Sequence, residues 1–370
     1  MANQFRYVIV GGGAAGAAAI EGIRLHDASG LIALISREQT PPYDRPSLSK
    51  GLWLGKTTLS TIFLHDEAYY KSRGGHLFLD TSIVEINPRK KQITDKDGAH
   101  YTYDKLLLAT GGSPRTLSFG QEVVQYYRTL ADYLTLKEAV ETHDEVAILG
   151  GGFIGAELAA ALVANGKKVT LVFPEQHLLP KVLSSDLAAF VTGYYREKGV
   201  SILSGDVPVA AQRAAGAVRV VTKSGTTLEA EVVVGAIGLN LHTEIAKRAG
   251  LRVENGITVN SNLQTSDPNI YAAGDIAHFP SKALQKETRI EHWDNAGAQG
   301  RLAGENMAGA NKQYDYLPYF WSDLFDLAFE AVGDIDSRLK TFADWKEQFR
   351  KGVVYYLDAG RVTGVLLWNV

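Results

Sequence analysis

The chain has 370 residues, 45% hydrophobic and 21% charged, and this length suits two to three domains. Lys and Arg number 38 against 41 Asp and Glu, and the longest basic run is Arg89-Lys90-Lys91, so a nucleic-acid-binding face is disfavoured. There is no cysteine, which excludes disulfides, thiolate metal sites, iron–sulfur clusters ligated by this chain and a catalytic thiol.

The nine histidines show no metal-ligand spacing, and Asp334-x-Asp336 reads as a solvated loop, so no bound metal is expected. Residues 1–6 run straight into the apolar strand Tyr7–Val10 with no export signal, and no apolar stretch reaches a membrane-spanning length. A cytoplasmic location without a membrane span is the expectation.

Glycine is the informative residue, at 37 of 370 positions. The first fingerprint, Gly11-x-Gly13-x-x-Gly16, follows the strand 7–10. It opens an Ala-rich helix over 14–26, and a second strand follows at 31–35. Small residues let backbone approach a pyrophosphate, and a helix N-terminus offers free N–H groups and positive dipole. Short β segments come next, at 83–86 and 100–103, with turn signals at Asn87-Pro88 and Asp97-Gly98. They lead into a strand from Lys105 that ends at Thr110-Gly111-Gly112.

The plan then repeats. Gly150-x-Gly152-x-x-Gly155 follows 146–149, its helix runs over about 154–164, and a second strand spans 169–173. Segments at 202–209, 218–222 and 228–234 lead into Gly235-Ala236-Ile237-Gly238. A bare glycine pattern arises by chance about 0.4 times in such a chain, so one match is weak. Two matches, each between a strand and a helix, imply two dinucleotides, one per unit.

A third segment, Ile270–Asp275, is a strand ending in Gly274-Asp275, where glycine admits close backbone approach and Asp275 can accept from a sugar hydroxyl. Asp294 or Asn295 is the expected cap of a helix running to Met307. The last 58 residues hold 13 of the 35 aromatics, and 353–357 and 362–368 alternate like strands. A small α+β domain with an aromatic core is expected, with some aromatics free to cover a planar ring or form a dimer face. The expected domains are therefore 1–119 with 241–312, then 120–240, then 313–370.

The stretches Pro42–Lys50, Ala109–Arg115, Gly150–Glu157, Val172–Glu175, Ile290–His292, Arg301–Met307 and Phe320–Leu324 resemble flavin- and nicotinamide-dependent oxidoreductases of the two-dinucleotide-binding flavoprotein type. The resemblance is nearest to apoptosis-inducing factor, then to the ferredoxin reductases of oxygenase systems. It implies an α/β, glutathione-reductase-like fold of two Rossmann-like domains plus the C-terminal domain. It also implies FAD in the first unit and NAD(H) in the second. FAD contacts carried over are Gly11, Gly13, Gly16, Arg45, Lys50, Ile83, Thr110, Gly111, Arg128, Gly274, Asp275, His292 and Trp293. Those for the nicotinamide nucleotide are Gly150, Gly152, Phe153, Ile154, Gly155, Glu157, Glu175, Lys181, Gly238, Glu291, Trp321 and Glu330, with Trp321 serving both cofactors. Lys50, Glu157 and His292 are the implied catalytic residues, with Lys50 and Glu157 as an ion pair beside the flavin's reactive nitrogen. Phe153 is implied to cover the ring until the nicotinamide displaces it.

The sequence departs from the resemblance in places. Arg37 stands where an acid is expected after the first unit's second strand, leaving Glu38 to grip the adenosine ribose. In the second unit Phe173 holds that position and Glu175 becomes the ribose ligand; no nearby Arg awaits a 2′-phosphate, which favours NADH. The long C-terminal insertion of apoptosis-inducing factor is missing, with only Leu339–Lys351 in its place. Three functions follow: an NADH oxidoreductase passing electrons to a quinone, oxygen or a small redox protein; a redox sensor whose NADH-reduced complex controls homodimerisation; and a ferredoxin reductase. The last calls for a basic docking patch, whereas Asp323, Asp326 and Glu330 dominate near 291–330.

Overall fold

The computed structural model describes residues 3–370; Met1 and Ala2, part of the segment read for an export signal, lie outside it. Contacts divide the described residues into two compact units: those up to Asp44 with Leu59–Ser113 and Leu241–Tyr319, and Arg45–Thr58 with Pro114–Asn240 and Phe320–Val370.

In the first unit five parallel strands lie in the order Ile270–Ala272, Lys105–Leu108, Tyr7–Val10, Ile32–Ile35 and Gly75–Phe78. They are almost wholly apolar, as suits a parallel sheet covered on both faces, and Val8, Ile9, Leu106 and Ile270 are fully buried. Val10 pairs with both Ile35 and Leu108, which brings Gly11 beside Ala109 at the sheet's C-terminal edge. The segments Ile83–Asn87, Gln92–Asp95 and His100–Thr102 form the antiparallel meander.

Helix Ala14–Arg24 packs on helix Trp293–Met307 through small residues. A Cβ would stand 2.0 Å from Arg301 O on Gly22, 2.1 Å from Ala15 O on Gly300, and 2.2 Å from Ala19 O on Gly304. The two backbones therefore touch directly. The second helix is capped by His292, two or three residues earlier than the sequence suggests, and without a side-chain cap. The polar candidates are engaged otherwise: Asp294 accepts from Tyr316 Oη (2.6 Å), and Asn295 donates to Ile290 O (3.3 Å).

The second unit repeats the parallel sheet in the order Val124–Tyr126, Val232–Gly235, Glu145–Leu149, Lys168–Phe173 and Ser201–Ser204. Its meander is Pro208–Ala214, Ala217–Thr222 and Thr227–Ala230. Two segments that read as single strands are broken in the fold. Gly205, at φ +77°, separates Ser201–Ser204 from Pro208–Ala214. Glu231 separates meander from parallel sheet, its carboxylate accepting from Asp144 N (2.7 Å) and Glu145 N (3.0 Å).

The C-terminal part is a five-stranded antiparallel sheet in the order Tyr319–Leu324, Leu327–Gly333, Arg361–Trp368, Lys351–Asp358 and Lys340–Glu347. No helix occurs after Met307 among the described residues, so the expected α+β domain is corrected to an all-β one. Strand alternation extends through Lys340–Glu347 as well. Phe329, Tyr356 and Trp368 fill its inner face. No described helix is long and apolar enough to cross a membrane.

Candidate functional site

The two fingerprints fold alike, each within its own unit. Gly11 has φ +129°, and a Cβ there would lie 2.0 Å from Ala109 O; one on Gly16 would lie 2.0 Å from Gly11 O. These two glycines serve the protein's own strand–turn–helix packing. Gly13 differs: it is the N-cap of helix Ala14–Arg24, has no side-chain cap, and its Cβ would meet nothing within 4 Å. Open space thus faces uncapped N–H groups, which is what a pyrophosphate requires. In the second unit Gly150 (φ +127°) is held 2.2 Å from Ala236 O and Gly155 2.0 Å from Gly150 O, by the same Cβ measure. Gly152 caps helix Phe153–Ala164 and again opens on free space.

Around the first fingerprint, Gly274 (φ +80°) donates its N–H to Gln299 Oε1 at 2.8 Å and opens the turn carrying Asp275. Burial drives the His292 imidazole down to about 4 against the pull of Asp275, so it is neutral at pH 7. Trp293 is half-buried at the start of its helix, and Ile83 is half-buried at the start of the meander. Thr110 Oγ1 donates to His242 O at 2.9 Å, and Gly111 has φ +56°. Arg37 Nη1 and Nη2 donate to Ser113 Oγ at 3.3 Å, while Glu38 accepts from Tyr43 Oη at 2.5 Å. Glu291 accepts from Arg289 Nη1 at 2.5 Å.

The second unit assembles a charged centre. Glu157 lies in the second turn of the fingerprint helix, its carboxylate only 7% exposed. Lys50 Nζ stands 3.2 Å from Glu157 Oε1, 3.4 Å from Asp323 Oδ2 and 5.5 Å from the Trp321 ring centroid, and donates to Trp321 O at 3.4 Å. Ser322 Oγ donates to Glu157 Oε1 and Ser49 Oγ to Glu157 Oε2, both at 2.7 Å. Burial pushes the Glu157 carboxyl upward, while Lys50 and the two serines pull it back. The Phe153 ring meets Phe320 edge-on at 5.7 Å. Arg45 Nη1 donates to Arg128 O at 2.7 Å, and Gly238 (φ +102°) accepts from Arg115 N at 2.8 Å. Ile154, Glu175, Lys181 and Glu330 are exposed. Lys50, Glu157 and Trp321 are thus brought together, whereas Glu175, Lys181 and Glu330 hold no side-chain position beside them in the structure's bonding.

Ser49 and Ser322 are not among the residues that the sequence marks as functional. Their signal was adjacency: each flanks a nominated residue, Lys50 or Trp321, yet serine alone is too common to single out.

The sequence profile described as pyridine nucleotide-disulphide oxidoreductase matches residues 5–300, and that described as apoptosis-inducing factor, mitochondrion-associated, C-term matches residues 303–348. The chain belongs to the pyridine nucleotide-disulphide oxidoreductase family. It is 34% identical to apoptosis-inducing factor 1, mitochondrial, of Dictyostelium discoideum, over 99% of this chain and 76% of that protein. It is 36% identical to monodehydroascorbate reductase 2 of Arabidopsis thaliana, over 99% and 90%. Among solved structures, the putidaredoxin reductase–putidaredoxin complex superposes with a TM-score of 0.93 at 32% identity, covering 100% of this chain and 90% of that one.

The protein is accordingly an FAD-dependent NAD(P)H oxidoreductase, similar to apoptosis-inducing factor and to ferredoxin reductases. The open faces of Gly13 and Gly152 fit the two dinucleotides, since each leaves a cradle that a side chain would fill. FAD, when bound, accepts a hydride and releases electrons singly or in pairs.

Proposed function

We propose that this enzyme takes its hydride from NADH rather than NADPH and delivers the electrons to a small redox protein. FAD belongs to the Gly11–Gly16 cradle with Asp275 and His292, and the nicotinamide nucleotide to the Gly150–Gly155 cradle with Glu175 on its ribose. The observation that carries the reading is Lys50 held against buried Glu157, 3.2 Å apart, on the helix that follows the second cradle. A fixed ammonium favours the electron-rich reduced ring, and its partner carboxylate fixes its position. Glu175, two residues past the strand end at Phe173, is the carboxylate available to accept from the ribose, and it would repel a 2′-phosphate. Neutral His292 can donate or accept one hydrogen bond without adding charge.

A likeness to a reductase solved with its redox partner supports the acceptor class. Of the acids that weigh against an acidic partner, two are paired, Asp323 with Lys50 at 3.4 Å and Asp326 with Lys198 at 2.9 Å, while Glu330 is exposed. The family's disulphide chemistry is excluded as a protein thiol relay, because the chain has no cysteine.

Anaerobic stopped-flow reduction of the flavin by NADH and by NADPH, followed by turnover with a ferredoxin, a quinone and oxygen, tests this. Faster bleaching by NADH and fastest turnover with the ferredoxin are expected. Equal bleaching by both nucleotides overturns the NADH assignment. Fastest turnover with the quinone or oxygen overturns the acceptor, and slow turnover with an NADH-dependent shift to dimer favours a redox sensor.

A further inference from the structure

The buried Glu157 carboxylate presents a physical problem. A carboxylate removed from water costs several kcal/mol unless ion-paired and hydrogen-bonded, and the less costly outcome is protonation. Lys50 addresses only one oxygen, and it is shared with Asp323, whose side chain is 47% exposed. The other groups facing Glu157 are Ser49, Ser322 and the buried Tyr195 phenol, which donates to Ala156 O at 3.0 Å. Both serines are buried, Ser322 at 0% and Ser49 at 2%. Each sits 2.7 Å from a different carboxylate oxygen. They come from two separate segments, a 3-10 turn (Arg45–Ser49) and a strand (Tyr319–Leu324).

We infer that Ser49 and Ser322 are positioning residues that keep Glu157 an anion, and through it hold Lys50 in place. This rests on the role proposed for the Lys50–Glu157 pair. Two hydroxyls donating to opposite oxygens are best satisfied by a carboxylate, which accepts on both. With both removed, Glu157 retains one contested cation and takes up a proton more readily. Lys50 then passes to Asp323, its other carboxylate neighbour.

The experiment is an infrared titration of the FAD-loaded enzyme without nicotinamide. It follows the carbonyl stretch of a protonated carboxylic acid, assigned to Glu157 by its loss in Glu157→Gln. In Ser49→Ala/Ser322→Ala the midpoint rises by at least one pH unit, and Ser49→Ala/Ser322→Thr, which keeps one hydroxyl, reverses much of the rise. An unmoved midpoint in folded double variant overturns the inference. Should the double variant not fold, each single alanine variant is read instead: a smaller rise in both supports the inference, and none in either overturns it. Flavin reduction by NADH, measured below the new midpoint, falls about tenfold in the double variant. A shifted midpoint with an unchanged reduction rate upholds the serine assignment and overturns the role given to the pair.

Discussion

Replacing Gly300 with alanine tests the packing that sets the first cradle. The added Cβ would stand 2.1 Å from Ala15 O and 2.6 Å from Ala15 Cα, both backbone atoms of the fingerprint helix. Ordinary contact is about 3.4–4 Å, so the helices must part by more than 1 Å at that level. No side chain can rotate to relieve the clash. Alanine gains about 1 kcal/mol of helix propensity, whereas overpacking costs about 1–3 kcal/mol, and more where backbone must move. The expected net is a loss of about 2 kcal/mol. Gly297, in the same helix, has nothing within 4 Å of its would-be Cβ, so Gly297→Ala should gain up to about 1 kcal/mol. Urea unfolding followed by helical circular dichroism reads both, with FAD saturating. Opposite signs are expected, and Gly300→Ala should also bind FAD more weakly, because the displaced helix carries the cradle. Equal effects from the two variants would refute the close-approach argument.

Glu157→Leu leaves Lys50 with Asp323 as its carboxylate neighbour and takes the acceptor from Ser49 and Ser322, and should cost about 3 kcal/mol, while Lys50→Met/Glu157→Leu should recover only the part due to the lost ion pair; denaturant unfolding of the four-member cycle reads the coupling, and simple additivity counts against an ion pair. His292, buried and lowered to about 4 from an unfolded value near 6.5, binds its proton more readily in the unfolded chain. Its contribution is complete above pH 6.5 and is lost as pH falls toward 4, up to about 3 kcal/mol; His292→Asn should flatten that acid limb in thermal unfolding across pH 4 to 7. Asp275→Ala should purify depleted of FAD, and a fully yellow variant with unaltered FAD affinity would remove Asp275 from the cofactor's partners.

The parallel cores were legible because burial on both faces writes continuous apolar runs, such as Tyr7–Val10 and Val146–Leu149, beside glycine turns. Strand breaks were less so. In the run Ile202–Val209 the turn residues Gly205, Asp206 and Pro208 lie among apolar ones, and the break they mark between two sheets falls where Gly205 adopts its positive φ. The expected cap of helix Trp293–Met307 lies elsewhere because Asp294 and Asn295 have capping chemistry but accept instead from the phenols of Tyr316 and Tyr314. At the charged centre, Lys50 and Glu157 lie 107 positions apart, and the serines that hold the carboxylate emerge only from the convergence of a turn, a helix and a strand.

The missing cysteines sharpen what the acceptor must do. In a chain with a thiol pair, electrons can leave the flavin by internal exchange and be collected at a distance as a disulphide is reduced. Here no side chain can store a reducing equivalent that way. A hydride from the nicotinamide brings two electrons, and both must depart from the isoalloxazine itself. An acceptor therefore has to approach the ring or couple to it directly, and a one-electron acceptor must do so twice per NADH oxidised. Titrating the reduced enzyme anaerobically with a one-electron ferredoxin should consume two equivalents per flavin. A flavin that bleaches fully with NADH yet surrenders electrons to no soluble acceptor would show that this route is closed.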